Sequence, residues 1–209
     1  GCMVMETMQK IKILLVAAVP PAERGEAALL QQKLTAEPCG RCFEVVALRA
    51  VKVDNVIEAV KNLRPDIVHF CGECTAKGDF VFADDDGTTS DWCSKSSLLK
   101  KMAQAVDEIR LVYFNGAVKD SELAAAQGKI AVLIGMQQRG EAAISKKFVV
   151  PFYMALGFGN PVGFAFAKVW QALPEGERKL VLRFRNDIDP DKYCLRSSGA
   201  PMPQAAALN

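Results

Sequence analysis

The sequence has little of what enzymes use for acid–base chemistry near neutral pH, because its 209 residues contain a single histidine, His69. One histidine excludes a multi-histidine metal site and confines Cys–His or Ser–His catalysis to that position. A lone histidine inside an apolar strand is more often a core residue bonded to a main-chain carbonyl, and we expect this of His69. The chain also lacks an excess of one charge, since 26 basic and 24 acidic residues leave +2. We therefore expect no nucleic acid partner.

Long hydrophobic runs and cofactor motifs are missing as well. The apolar run 11–18 has eight residues, whereas a membrane span needs about 20, so it predicts a buried strand and no membrane partner. Neither GxGxxG nor GxxxxGK[ST] occurs, and the aspartates at 84–86 lack the glutamate that completes a calcium loop. The sequence thus predicts no nucleotide cofactor, no other cofactor and no bound metal.

Cysteine is the nucleophilic residue type that stands out in this sequence, with seven copies. Seven cysteines are too few for a disulfide framework, and without a visible secretory signal they favour reduced thiols in the cytoplasm. They include two Cys-x-x-Cys pairs, Cys39/Cys42 and Cys71/Cys74, which leave a zinc site or a redox pair as alternatives. We expect the two pairs at opposite ends of a strand of about 17–20 Å, which argues against one shared metal. Neither pair opens a predicted helix in the way a thioredoxin-type pair does.

Strand and helix patterns alternate along the chain. Branched apolar segments predict strands over 11–17, 43–48, 66–71, 109–115, 129–134 and 179–184, and amphipathic segments between them predict helices. The stretch 78–87 reads as a small surface hairpin. This alternation predicts an α/β three-layer sandwich, with helices on both faces of a six-stranded, mostly parallel sheet. The predicted organisation is a flexible N-terminus over 1–9, a domain over 10–186 and a tail with little structure over 187–209.

The order of several segments resembles a known family. The segments are Arg64-Pro65-Asp66-Ile67-Val68-His69-Phe70-x-Gly72, the hairpin, Arg110-Leu111-Val112-Tyr113-Phe114-Asn115, Ile134-Gly135-Met136 and Phe148-x-x-x-Phe152-Tyr153-x-Ala155-Leu156. Together they resemble the CHAT domain, a caspase-like cysteine peptidase family widespread in bacteria. The resemblance runs from Lys10 to about Leu173. It implies the caspase–hemoglobinase fold, a six-stranded sheet whose last strand is antiparallel.

The resemblance also implies that both catalytic residues are absent. Active members carry His-Phe-Ser-Gly-His-Gly after the third strand, and the second histidine is catalytic. In this sequence His69 matches the first histidine, Cys71 matches the serine, and Glu73 stands at the catalytic position. The nucleophile of the family's Asn-Ala-Cys motif matches Ala117, which has no atom able to attack a carbonyl. These substitutions predict a pseudoenzyme with no catalytic residues.

The expected function is therefore binding at the former substrate cleft. Glu73, Asn115, Gln137 and Gln138 lie near the ends of predicted strands at the carboxyl edge, where ligands gather in such folds. A carboxylate among amides suits another protein or an extended peptide, and the family favours a homodimer through the last strand. The alternative is an active cysteine peptidase that uses a displaced thiol, Cys71 or Cys74.

Overall fold

One sheet organises the chain. The computed structural model describes residues 9–17, 25–49, 52–72, 75–84, 86, 88–126, 128–138 and 142–196. This part of the chain contains the strands β1 (Ile11–Ala17), β2 (Phe43–Arg49), β3 (Ile67–Cys71), β4 (Phe80–Ala83), β5 (Thr89–Cys93), β6 (Ile109–Ala117), β7 (Ile130–Met136) and β8 (Leu180–Phe184). Six of them form a sheet in the order β2-β1-β3-β6-β7-β8, in which only β8 runs antiparallel to its neighbour. The predicted six-stranded, mostly parallel sheet with an antiparallel last strand is confirmed.

Helices cover both faces of this sheet. They are α1 (Glu26–Thr35), α2 (Val53–Leu63), α3 (Lys95–Ala105), α4 (Asp120–Ala125), α5 (Ala142–Gly157) and α6 (Val162–Ala172). Successive side chains of a strand point to opposite faces, so Ile13 of β1 joins the core beneath α1, α5 and α6. Its neighbour Leu14 joins the second core, beneath α2, α3 and α4. The result is the predicted three-layer sandwich.

The hairpin that β4 and β5 form is packed against the sheet, which corrects the prediction of a surface hairpin. The two strands pair antiparallel, and alternate side chains of β4 point at the core. Phe80 and Phe82 are 1% and 0% exposed. The Phe80 ring lies 5.2 Å from that of Phe70 in β3, measured between centroids. Trp92, on β5, is 65% exposed. The short length of the hairpin suggested a solvated loop, but its aromatic residues complete the second core.

The described part of the tail, 187–196, has no helix or strand but packs onto the domain. Backbone carbonyls of Pro190 and Tyr193 accept hydrogen bonds from the amides of Gly163 and Val162, at 2.9 and 2.8 Å. These amides lie in the first turn of α6, where the helix itself supplies no acceptor. Leu195 is buried in the first core. This stretch therefore packs against the domain without a helix or strand of its own.

The carboxyl ends of β3, β6 and β7 meet at one edge of the sheet. β6 and β7 end at Ala117 and Met136, two residues beyond their predicted ends. Gly135 makes this close pairing sterically acceptable, because a Cβ atom there would lie 2.4 Å from Val118 Cγ1. The Val118 amide, just past β6, donates to the Met136 carbonyl at 3.1 Å. Among the described helices, none is long and apolar enough to cross a membrane.

Candidate functional site

Four of the predicted site residues lie together at the carboxyl edge. Asn115 and Ala117 are among the last residues of β6, and Gln137 and Gln138 follow β7 directly. β6 and β7 are neighbours in the sheet, so the structure brings these four residues to one place. Asn115 is half-buried, whereas both glutamines are exposed. The prediction placed Asn115 at the last position of its strand, and the longer β6 places it two residues before the end.

Cys71 ends β3 as a buried thiol. It is 4% exposed, and burial raises its pKa well above the ordinary 9.0, with the charge of Glu26 acting in the same direction. The thiolate is the nucleophilic form, so these surroundings keep Cys71 unreactive. Glu73 and Cys74, the other residues predicted at this strand end, lie outside the described residues.

A buried carboxylate lies beneath the edge. Glu26 is the first residue of α1 and is 5% exposed. Its Oε1 accepts a hydrogen bond from His69 Nε2 at 2.6 Å. Its Oε2 accepts from Ser145 Oγ and Asn115 Nδ2, each at 2.8 Å. A buried carboxylate is unfavourable unless it is hydrogen-bonded, and the positive end of the α1 dipole also stabilises this one. Glu26 therefore joins α1 to β3, β6 and α5.

His69 is a core residue, but its bonds differ from the expectation. It is fully buried in β3, and both ring nitrogens bond side chains instead of a main-chain carbonyl. A carboxylate only accepts hydrogen bonds, so Nε2 donates to Glu26. The other nitrogen, Nδ1, lies 2.6 Å from the hydroxyl of Tyr153 in α5. The ring stacks on Tyr113, with centroids 4.5 Å apart. The imidazole is thus fully engaged inside the first core.

Two chains of hydrogen bonds converge on the Glu26 carboxylate. In one, the Tyr113 hydroxyl lies 2.7 Å from Ser145 Oγ, and because Ser145 gives its only proton to Glu26, Tyr113 is the donor. In the other, the Tyr153 hydroxyl is hydrogen-bonded to His69 Nδ1, and His69 Nε2 is hydrogen-bonded to Glu26. Burial raises the pKa of both tyrosines well above 10.0, and the Glu26 charge adds to this. Both hydroxyls therefore stay protonated. We call these five side chains with Asn115 the Glu26 network.

Asn115 connects this network to the edge, and one of its atoms has no partner. Its amide nitrogen bonds Glu26, but Oδ1 is buried and accepts no hydrogen bond from any described residue. A buried acceptor without a donor typically destabilises a protein by about 1–3 kcal/mol. A bound group that supplies an N–H or O–H donor would remove this deficit. Asn115 is thus a candidate to hold a polar ligand at this edge.

Three members of this region carry the donor types of a metal site. Ligand atoms of Glu26, His69 and Cys71 lie within 4.8 Å of one another, and zinc takes carboxylate, imidazole and thiolate ligands. However, both nitrogens of His69 and both carboxylate oxygens of Glu26 already form hydrogen bonds. An ion would have to break the Glu26–His69 bond. The described geometry is complete as a hydrogen-bonded network.

The other cysteine pair is remote from this region. The carbonyl of Cys42 accepts from the Ile11 amide at the start of β1, whereas Cys71 pairs with Ala17 at its end. A strand of this length spans about 20 Å, far more than a metal bridges. Both Cys39 and Cys42 are buried in the first core, and the five described cysteines form no disulfide. The geometry therefore argues against a zinc site shared by the two pairs.

A buried lysine holds the hairpin beside the same edge. Lys95, the first residue of α3, is 2% exposed, and its Nζ donates to the Gly78 carbonyl at 2.8 Å. The same ammonium lies 5.8 Å from the ring centroid of Phe114, the residue that precedes Asn115. A cation over an aromatic face is attracted to it. Lys95 thereby fixes the segment 75–79 next to the end of β6.

Sequence reasoning does not identify four members of the Glu26 network. Tyr113 and Tyr153 lie in segments that carry the family resemblance, and a hydroxyl inside an apolar strand or helix signals a buried hydrogen bond. Glu26 and Ser145 carry no such signal. They lie in polar stretches of helix, where a glutamate or serine is normally solvated.

Comparisons with known proteins give a structural likeness and no family. No family model matches the chain, and no curated protein matches it. Among solved structures, it is similar to a secreted C11 cysteine protease from Bacteroides thetaiotaomicron in complex with an irreversible peptide inhibitor, with a TM-score of 0.49 and 9% identity. The match covers 84% of this chain and 66% of the protease, so the chain spans just under two thirds of that protein.

Proposed function

We propose that this chain is a catalytically inactive caspase-like domain of the CHAT type, a pseudopeptidase that binds a protein segment at the carboxyl edge of its sheet. The strand order and the antiparallel β8 agree with the fold that the sequence resemblance implies. Ala117, which the sequence resemblance matches with the family nucleophile, is the last residue of β6. A bacterial, cytoplasmic setting belongs to this proposal.

The observation that carries the proposal is the state of His69. A cysteine peptidase needs an imidazole that can exchange a proton with a thiol and a leaving group. His69 is 0% exposed, and both of its nitrogens are bonded within the Glu26 network. The described thiol nearest to it in sequence, Cys71, is buried with a raised pKa. This pairing supports a structural role for both residues, and it argues against the displaced-thiol alternative at Cys71.

Binding is supported by the polar groups that remain at the edge. Asn115 offers a buried acceptor without a donor, and Gln137 and Gln138 offer exposed amides beside it. An extended peptide presents N–H donors along its main chain, and amide side chains can bond both its N–H and C=O groups. Glu73 belongs to this proposed set from its sequence position. We expect basic or polar side chains in the bound segment.

The last strand provides a second part of the proposal. β8 is a terminal strand of the sheet, and a terminal strand can pair with another chain. A homodimer would therefore form through 179–184, a segment whose Lys179 carbonyl accepts a hydrogen bond from the Gln137 amide at 2.8 Å. Sedimentation equilibrium over a range of protein concentrations tests this part separately from peptide binding.

A peptide-binding measurement tests the main proposal. Fluorescence anisotropy with a library of labelled extended heptapeptides should identify a basic or polar subset that binds and is released uncleaved. Asn115→Ala and the double variant Gln137→Ala/Gln138→Ala should each weaken this binding about tenfold, because each removes one or two hydrogen bonds. Asn62→Ala and Gln32→Ala, exposed on α2 and α1, are the matched controls and should bind as the wild type does.

Two further arms separate binding from catalysis. A peptide chloromethyl ketone should not label the native wild type, whereas stoichiometric labelling of Cys71 or Cys74 would refute the pseudoenzyme. The double variant Glu73→His/Ala117→Cys restores both residue types of the family dyad. Cleavage by this variant alone would support a retained cleft without chemistry, and cleavage by the wild type would overturn the proposal.

A further inference from the structure

A cavity opens at the edge of the sheet opposite the proposed peptide site. It has a volume of about 450 Å³ and lies at the amino ends of β1, β3 and β6. The segment 192–196 forms its remaining wall. Pockets for small ligands typically enclose about 300–1,000 Å³. The cavity is therefore large enough for a small organic molecule and larger than a single inorganic anion requires.

Positive charge dominates the lining of this cavity. Four basic residues, Lys10, Arg110, Lys192 and Arg196, face one acidic residue, Asp66, which gives a local balance of 4 − 1 = +3. The whole chain carries only +2, so the excess is concentrated here. A concave site with one sign of charge focuses the electrostatic potential and attracts ligands of the opposite sign.

Asp66, the acidic residue of the lining, already contacts other groups of the protein. Asp66 Oδ2 accepts a hydrogen bond from the Lys12 amide at 2.9 Å. Its Oδ1 lies 3.9 Å from Arg110 Nη1, at the limit of an ion pair. Asp66 therefore anchors the start of β1 and offsets only part of the Arg110 charge, so it does not cancel the positive character of the cavity.

Arg110 is held in a fixed orientation. Its Nη1 and Nη2 donate to the carbonyls of Leu195 and Cys194, each at 2.6 Å. The guanidinium also lies 5.5 Å from the ring centroid of Tyr193. A guanidinium has five N–H donors in one plane, so these two bonds leave donors for a carboxylate or phosphate. Because the side chain is already ordered, binding an anion would immobilise little more of it.

The rest of the lining supplies further donors. Lys10 forms no ion pair with a described residue, and the Lys192 ammonium meets Asp189 only at 4.0 Å with 85% of its side chain exposed. The Tyr193 hydroxyl is buried in the wall, where no described residue completes a hydrogen bond with it. Two exposed cations at the rim and a buried hydroxyl beside a fixed guanidinium give the lining more donors than Asp66 can satisfy.

We infer that this amino-edge cavity binds a small organic anion through a phosphate or carboxylate group at Arg110, Lys10, Lys192 and the Tyr193 hydroxyl. The site is independent of the proposed peptide site, because the two lie at opposite ends of the same strands. Phosphate and carboxylate are both matched by a guanidinium and ammonium groups, so the head group is decided by measurement.

Isothermal titration calorimetry at low ionic strength tests this inference with three probes of similar size. Phenyl phosphate and benzoate carry the two head groups, and benzamide is the neutral counterpart of benzoate. At least one anion should bind with one-to-one stoichiometry and weaken as salt is added, whereas benzamide should not bind. The tighter of the two anions identifies the head group.

Variants locate the binding in the cavity. Lys10→Gln/Lys192→Gln removes the two rim charges and should raise the Kd about five- to thirtyfold. The exposed pair Lys33→Gln/Lys61→Gln on α1 and α2 removes the same charge elsewhere and should change the Kd less than twofold. Tyr193→Phe keeps the ring and should raise the Kd about tenfold. The inference is overturned if neither anion binds, if benzamide binds equally well, or if the two lysine pairs have the same effect.

Discussion

At the scale of single residues, one carboxylate organises side chains from four elements. Glu26 accepts donors from β3, β6 and α5, and its own helix places it where the dipole favours a negative charge. The carboxylate is held by hydrogen bonds from an imidazole, a hydroxyl and an amide, and no lysine or arginine contacts it among the described residues. The arrangement resembles an active site in its residue types, but each reactive atom is already bonded to another member.

Removing the carboxylate should destabilise the fold strongly. Glu26→Ala leaves His69, Ser145 and Asn115 without their acceptor in the core, so we expect a loss of about 3–5 kcal/mol in the free energy of unfolding. Urea denaturation followed by circular dichroism measures it. Glu58→Ala, at an exposed position of α2, is the control and should change stability by less than about 0.5 kcal/mol. Equal losses in the two variants would show that the Glu26 network contributes no stability.

The sequence identifies the edge residues of the site but not the network beneath them. Asn115, Gln137 and Gln138 are predictable because strand ends in a parallel sheet meet at one edge, and the structure places them there. Glu26 and Ser145 are 119 residues apart, and their meeting depends on how α1 and α5 pack. A local sequence pattern indicates which residues are buried and whether the segment is a helix or a strand. It does not indicate which two helices pack on the same face of the sheet. Such pairings appear only with the tertiary structure.

At the scale of elements, the hydrophobic pattern predicts the strands of the sheet but does not predict how the hairpin packs. Runs such as 130–134 are apolar on both faces, which is typical of buried parallel strands, and all six predicted strands exist. The hairpin stretch mixes the polar Asp79 with the apolar β4 and then a polar turn, and this pattern fits a solvated hairpin as well as a packed one. The outcome was decided by Phe70 and Phe114, whose rings offer a surface that Phe80 covers. The prediction was wrong because it considered the hairpin alone.

The packed hairpin should matter for stability. Phe80→Ala removes a 1% exposed ring from the second core and leaves a cavity, so we expect a loss of about 3–5 kcal/mol. Trp92→Ala on the partner strand removes a larger but 65% exposed ring and should reduce stability by less than about 1 kcal/mol. Thermal and urea denaturation of both variants check this order. A larger loss for Trp92→Ala would mean that the hairpin uses its other face for packing.

At the scale of the whole molecule, the sheet separates two chemically different edges. Amides and a buried carboxylate lie at the carboxyl edge, and a cationic cavity lies at the amino edge. Between them runs β3, whose five residues are all buried. This separation allows each edge to be altered without changing the other, and the variants proposed for each site rely on it.

The buried tyrosines should make the molecule sensitive to alkali. The folded-state pKa of Tyr113 and Tyr153 lies well above the ordinary 10.0, so their stabilising effect is complete below pH 10 and is lost as the pH rises through the folded values. We expect stability to fall above pH 10 by about 1.4 kcal/mol per pH unit for each tyrosine. Urea denaturation at increasing pH measures this slope, and the ultraviolet absorbance of tyrosinate measures ionisation.

The control for this prediction is the double variant Tyr113→Phe/Tyr153→Phe. It should be less stable at neutral pH. It should lose stability more slowly above pH 10, because these two positions no longer carry a phenol that ionises only on unfolding. If all three tyrosines of the wild type ionise near pH 10 while the protein stays folded, the two hydroxyls are not buried as described.

The long separation between Glu26 and Ser145 also constrains how the chain matures during synthesis. Glu26 and His69 leave the ribosome early. Ser145 and Tyr153 emerge only with α5, and Ser145 comes 119 residues after Glu26. Until then the carboxylate lacks the partner that α5 supplies. The first core can therefore close only late in translation, and chains interrupted before α5 would expose the part of this face that α5 and α6 cover to chaperones and proteases.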